Sequence, residues 1–316
     1  MSTPQRAAVI ALGGNALSPA GERSTIHDQF RHTRDSLAQV VQLIQDGWSV
    51  CIIHGNGPQV GDELVRSEDA RGSVEPLPLG VLVAGTAGWI GYMIQQSLGN
   101  ALHAVGDDRP VVTVITQVVV SAADRALAHP RKFVGHALSA ERALQLQEAG
   151  IRTARDGNGH ERRVVGSPVP VSIREEQAVR VLLASGAVVV ACGGGGVPVY
   201  VDDNGALDGV DCVIDKDLAA AVLAIGLDAD LFMILTDIDS VYADWGKPNQ
   251  RSLSRLSLAQ VTELDGAGAF GEGSMAPKVR AAASYVRQTG GRAIITELSR
   301  GRDAVAGTAG TEIVPA

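Results

Sequence analysis

Apolar and polar positions along this chain alternate between two rhythms. Ala7–Leu12 is an uninterrupted apolar run ending in Gly13-Gly14-Asn15, the pattern of a strand buried on both faces. Between His27 and Asp46, Leu37, Val40, Val41 and Ile44 fall at i, i+3, i+4 and i+7, which predicts a helix stopped by Gly47. Trp48–Ile53 is a second strand-like run, ending at His54-Gly55-Asn56-Gly57-Pro58. Helical patterns cover Pro58–Arg71 and Leu79–Ala104. Val111–Val120 reads as a strand, Arg174–Ala184 as a helix and Ala187–Cys192 as a strand leading into Gly193–Gly196. Asp203-Asn204-Gly205 signals a hairpin turn. Further on, Asp217–Ile225 and Pro277–Arg287 predict helices, Leu258–Leu264 a short helix, and Leu231–Leu235 and Arg292–Thr296 strands.

Strands alternating with helices predict an α/β fold with a largely parallel sheet. Three strands end in glycine-bearing turns, at Gly13-Gly14, Gly55-Asn56-Gly57 and Gly193–Gly196. Ligands of open α/β sheets lie beyond the carboxyl ends of the strands. Glycine there lets backbone N–H groups approach an anion, and the following helix starts add favourable dipoles. Three such turns together point to a polyanionic ligand. Ser121–Arg163 breaks the alternation: it is polar, rich in Arg, His and Ala, and holds the strong turn Asp156-Gly157-Asn158-Gly159. Because Ala140–Ala149 still reads as helical, this stretch is an inserted subdomain or lid rather than a linker.

A length of 316 residues allows one large domain or two small ones. With 45% hydrophobic and 20% charged residues the chain is an ordinary globular one, and with 3% aromatics its core must be aliphatic. A formal net charge of -8 argues against general nucleic-acid binding, which needs basic surface. The longest clean apolar stretch, Leu218–Ile225, falls far short of the ~20 residues that cross a bilayer. Met1–Arg6 is polar and leads straight into the first strand, so no signal peptide is expected. Cys51, Cys192 and Cys212 form no C-x-x-C pair and read as reduced thiols of a cytoplasmic protein.

The chain has no P-loop, no G-x-S-x-G, no H-E-x-x-H and no Cys/His metal-ligand cluster. Gly266-Ala267-Gly268-Ala269-Phe270-Gly271 fits G-x-G-x-x-G but follows a short helical stretch, so it reads as a loop. Lys and Arg total 27, yet the only lysines are Lys132, Lys216, Lys247 and Lys278. A lysine kept against an arginine background suits a task that a planar fork does poorly: approaching a transferring phosphoryl group as a compact point charge. Lys216, in Ile214-Asp215-Lys216-Asp217, and Lys278, in Pro277-Lys278-Val279, both stand at helix starts. Lys132 lies in the insert, and Lys247 reads as a surface residue. Phosphoryl transfer needs positioned cations and N–H donors around a dispersed charge.

Ala11–Leu17, His54–Gly61, Gly91–Gln96, Ala191–Pro198, Val213–Ala220, Leu235–Asp237, Gly246–Arg251 and Ser274–Val279 together resemble carbamate kinases of the amino-acid-kinase superfamily, nearly end to end. The resemblance implies a three-layer α/β/α sandwich with an open, mainly parallel central sheet and a small protruding subdomain. It implies one domain over 1–316, with an acid-binding half at about 1–190, a lid at about 121–163 and a nucleotide-binding half at about 191–316. The implied reaction is reversible phosphoryl transfer between ATP and carbamate, giving ADP and carbamoyl phosphate with Mg2+, running toward ATP in catabolism, in a homodimer.

By the same resemblance, Gly13, Gly14, Asn15, Gly55, Asn56 and Gly57 bind the phosphoryl group and carbamate. Lys132 reaches over the reacting groups, Lys216 and Lys278 neutralise ATP oxygens, and Asp217 orients lysines rather than acting as a base. Thr236, Asp237, Tyr242 and Met275 line the nucleotide site. The sequence departs from the family pattern at Ala87, where Gln is expected, Val169, where a basic residue is common, Phe133, where Pro usually follows the lid lysine, and Ala276, where Gly is usual. These departures cluster on the acceptor side and the lid. They keep open a second reading, a kinase of the same fold acting on another small acid or phosphonate.

Overall fold

The computed structural model describes residues 6–14, 17, 25–270 and 275–315. Its centre is an eight-stranded sheet. In spatial order the strands are Arg255–Ser257, Thr311–Val314, Arg292–Glu297, Leu231–Thr236, Ala7–Leu12, Ser49–His54, Val188–Val190 and Val111–Thr113. All neighbours pair in parallel except Thr311–Val314, which runs antiparallel to Arg292–Glu297.

The apolar runs are continuous because the sheet is buried on both faces. Side chains alternate between two separate cores. Val9, Ala11, Cys51, Ile53, Val189, Phe232 and Ile234 face one core, packed with the Glu176–Ala184, Lys216–Gly226 and Met275–Thr289 helices. Ile10, Leu12, Val50, Ile52, Val190, Met233 and Leu235 face the other, under the Ala38–Gln45, Leu79–Ala104 and Gly301–Val305 helices. The result is a three-layer α/β/α sandwich.

Two expected elements are divided. The His27–Asp46 helix is two, Ile26–Ser36 and Ala38–Gln45, meeting at Leu37. Thr33 turns its hydroxyl back onto the Gln29 carbonyl at 2.7 Å, a bond that bends helices. Val111–Val120 is also two strands, in different sheets: Val111–Thr113 edges the central sheet, while Gln117–Val120 joins a four-stranded sheet with Leu207–Gly209, Val197–Val201 and Pro170–Ile173. At the switch, the Thr116 hydroxyl donates to the Val114 carbonyl and accepts from the Cys192 N–H, both at 2.9 Å. The Val197–Val201/Leu207–Gly209 hairpin turns at Asp202–Gly205.

The insert carries its own three-stranded antiparallel sheet, Lys132–Val134, Glu161–Val165 and Thr153–Arg155, with the Ala140–Glu148 helix against it. This sheet runs to Val165, two residues past the expected edge of the lid. Its base sits on a satellite core in which Val134 and Val165 meet Val60, Leu64, Leu82 and Val213. Gly266 closes the Leu258–Gly266 helix, so the G-x-G-x-x-G spacing follows a helix rather than a strand. Among the described residues, no helix is long and apolar enough to cross a membrane. All three cysteines are free and buried.

Candidate functional site

The glycine turns lie side by side because their strands are neighbours in the sheet. Gly13 follows Ala7–Leu12 and donates its N–H to the Leu235 carbonyl at 2.7 Å, tying the first turn to the end of Leu231–Thr236. Gly55 follows Ser49–His54. A Cβ added there would lie 3.3 Å from Gly14 Cα and 3.4 Å from Lys216 Cδ, so the stem of Lys216 runs directly along these two loops. Asn15 lies outside the described residues. Gly14 and Gly57 have open space where a Cβ would stand, so neither is glycine for want of room.

Asn56 is buried and donates from Nδ2 to the Thr86 hydroxyl at 2.9 Å, which anchors the second turn to the Leu79–Ala104 helix. Gly194 backs onto Asn56: with φ at +69°, a Cβ there would strike the amide at 2.2 Å. The third turn is thus built against the second, with every residue of Gly193–Gly196 buried.

The cationic part of the site centres on one carboxylate. Asp217, in the first turn of the Lys216–Gly226 helix, is 3% exposed. Its Oδ1 lies 2.5 Å from Lys216 Nζ and its Oδ2 lies 3.1 Å from Lys278 Nζ. Two helices from opposite ends of the C-terminal half therefore deliver two ammonium groups to one anion. Burial pushes the Asp217 carboxyl up, but the two ammoniums outweigh it and hold it below the usual carboxylate range. Burial draws the Lys216 ammonium below its ordinary value against the pull of Asp217, and Lys278 adds to the lowering.

The remaining expected residues are distributed around this cluster. Thr236 is buried at the end of its strand, beside the position a Gly13 Cβ would take, and donates to Asp237 Oδ1 at 3.0 Å. Met275 is buried at the start of the helix that carries Lys278. Tyr242 is half-buried; its hydroxyl donates to Asp239 at 3.0 Å and its ring meets Trp245 edge-on at 5.1 Å. Lys132 does not sit on Asp217: it pairs with Asp215 Oδ2 at 3.0 Å. Lys247 pairs with Asp244 on the surface at 2.8 Å. Of the departures, Ala87 is buried beside Gly193, Ala276 is buried, Val169 is exposed, and Phe133 carries the Arg162 guanidinium 5.5 Å from its ring centre.

Two residues in this neighbourhood were not expected from the sequence. His54 is fully buried, with Nδ1 2.9 Å from the Gly55 carbonyl oxygen, which makes Nδ1 the donor. Burial, chiefly, pulls its pKa down to about 4, so the ring is neutral near pH 7. Asp215 caps the Lys216–Gly226 helix, its Oδ1 accepting from the N–H groups of Asp217 and Leu218 at 3.0 and 3.4 Å. The available signal was an acid immediately before an apolar helical run.

The amino acid kinase family model matches residues 6–297. The carbamate kinase of Haemophilus influenzae is 45% identical over 306 residues, 96% of each chain. That of Pyrococcus horikoshii is 40% identical over 315 residues, covering 99% of this chain and 100% of the relative. The solved structure of carbamate kinase from Giardia lamblia bound to AMP-PNP superposes with a TM-score of 0.93 at 36% identity, over 99% of both chains.

Proposed function

We propose that this chain, which belongs to the amino acid kinase family, works as a carbamate kinase, moving a phosphoryl group reversibly between ATP and carbamate. The observation that carries the reading is the pair of ammonium groups held on Asp217, one of them, Lys216, with its stem against the Gly14 and Gly55 turns. In the forward direction a carbamate oxygen attacks the γ-phosphorus and the bond to the β-phosphate oxygen breaks, its electron pair leaving with ADP. Carbamate is already an anion, so no proton has to be removed and Asp217 serves as an orienting anion rather than a base.

The transition state spreads charge over the phosphoryl oxygens and the leaving oxygen. Lys216 and Lys278 neutralise that charge, and the turns that carry Gly13, Gly14, Asn15, Gly55, Asn56 and Gly57 bind the phosphoryl group and the acceptor, the Gly13 N–H itself being held by the Leu235 carbonyl. Lys132 covers the reacting groups from the lid. Thr236, Asp237, Tyr242 and Met275 line the nucleotide side. The division follows the chain: an acid-binding half at about 1–190, a lid at about 121–163 and a nucleotide-binding half at about 191–316. Among the described residues no group of three or more His, Cys, Asp or Glu side chains is placed to hold a metal, and both Asp217 oxygens are taken by lysines. Mg2+ entering with the nucleotide would lower the charge on the phosphates that Lys216 and Lys278 face.

Mixing the protein with carbamoyl phosphate, ADP and Mg2+ yields ATP; a rate no higher than that of heat-killed protein removes this reading. Ala87, buried beside Gly193 where the family pattern has Gln, favours one alternative: another small carboxylate or phosphonate as acceptor. An acceptor screen with ATP separates the two by which compound gives the higher kcat/KM. A homodimer also goes with this reading. Val81, Gly85, Gly88 and Tyr92 share one side of the Leu79–Ala104 helix, and Ile115, nearly half exposed, lies against Gly88. Sedimentation at twice 32.8 kDa is the expected result.

Gly55→Ala tests the close approach. The new methyl demands a few tenths of an ångström from Gly14 and touches the Lys216 stem. We expect an unchanged melting temperature and a kcat roughly tenfold lower, since small displacements of positioned groups can cost up to ~10²-fold. Unchanged kinetics would contradict this geometry.

A further inference from the structure

Lys132 opens the Lys132–Val134 strand of the insert. Strand alternation turns Lys132 to the same side as Val134, and Val134 is buried against Val60, Leu64 and Val213. The lysine therefore faces the body of the protein. Its ammonium meets Asp215 Oδ2 at 3.0 Å, while Asp215 Oδ1 caps the helix that presents Lys216 and Asp217. One carboxylate thus joins the insert to the start of the cationic helix. Other polar contacts from the insert go to the Gly57–Asp69 helix: Arg142 and Arg163 pair with Glu68 at 2.9 and 2.8 Å, and His136 Nε2 lies 2.6 Å from Asp62 Oδ1.

We propose that Asp215 is a positioning residue for Lys132, holding the lid ammonium at the rim of the Asp217 cluster so that it can pass to the transferring phosphoryl group. The pairing suits a hand-over. Asp215 is fixed by the two amides it caps, so its free oxygen has a defined place. Lys132 is 43% exposed in its side chain, so the ion pair is weak and a polyanionic ligand can displace the carboxylate. A long flexible lysine gains most from such a post, because the search for its working position is shortened. This rests on the reading of the site as a phosphoryl-transfer centre.

Asparagine caps a helix about as well as aspartate, so Asp215→Asn removes the charge and keeps the cap. In the ATP-forming direction we expect it to lower kcat roughly tenfold, within the ~10²-fold that misplacement can cost, at unchanged melting temperature and ADP KM. In a Lys132→Met background the same change should have no further effect. An equal loss with and without Lys132, or no loss at all, overturns the proposal. Lys132 acetylation by acetic anhydride, followed by mass spectrometry, reads the contact without turnover. Asp215→Asn should raise the labelling rate, and an unchanged rate also overturns the proposal. If wild type labels as expected but makes no ATP, the kinase reading and Asp215's positioning role fail and only the resting contact stands. If wild type makes ATP and the double-mutant result is additive, the Asp215 assignment alone fails.

Discussion

Replacing Lys216 or Lys278 with arginine should lower turnover by ~10²–10³-fold, the cost of losing one preorganised transition-state donor, although formal charge is kept. Each ammonium now takes one oxygen of Asp217, and both side chains are mostly buried. A guanidinium is planar and prefers to grip both oxygens of a carboxylate. Put at either position, it competes with the other lysine for Asp217 and turns its remaining N–H groups where the fork dictates. At position 216 it must also pass the Gly55 turn, along which the lysine stem runs. Steady-state kinetics in both directions, with melting temperatures as a control on folding, decide the matter. Near-wild-type turnover in both variants would show that charge alone, and not compact charge, is what the site requires.

How much of this was legible in the chain depends on where each determinant lies. The strands Ala7–Leu12, Ser49–His54 and Leu231–Thr236 are legible because burial on two faces leaves no polar interruptions. The long helix runs from Leu79 to Ala104 as its pattern predicts, with Pro78 setting its start. Short strands such as Arg255–Ser257 at the sheet edge and Thr311–Val314 next to it span too few residues to show a period and exist only through their pairing. The division of Val111–Val120 is set by Thr116 and Cys192, which meet across 76 residues of chain.

The site shows the same contrast. Lys216 and Lys278 stand out against an arginine background, and the family resemblance reinforces them. Asp215 looks locally like a helix cap and nothing more, since its second role depends on Lys132, 83 residues away. His54 lies within a motif string, but its neutral state is a consequence of burial that no local pattern encodes. Tyr242 illustrates the reverse: the motif marks it, while its visible partners are Asp239 and Trp245.

Asp217→Asn is the substitution expected to act on both stability and pH dependence. In the folded protein the carboxylate sits below its ordinary value of 3.8. Its stabilising contribution is therefore fully present above that value and is lost as pH falls below it, through the lower value of the folded protein. Removing the charge leaves two buried ammoniums facing each other, with only the less strongly acting Asp215 to offset Lys216, a change that typically costs about 3–5 kcal/mol. A domain with about 5–15 kcal/mol in hand should still fold, with a lowered melting temperature at neutral pH.

The kinetic consequence has a definite sign. Lys216 is already depressed by burial, and Asp217 is the main influence opposing that depression. Without it the ammonium gives up its proton at lower pH, so the alkaline limb of the kcat/KM profile should move toward neutrality. The same deprotonation relieves the buried charge, so the stability gap from wild type should narrow as pH rises. If Asp217 instead acted as a general base, its removal would erase the acid limb and leave the alkaline one in place. A pH–rate profile of Asp217→Asn therefore separates the orienting anion from the base, and an unmoved alkaline limb would remove Asp217 from the role assigned to it here.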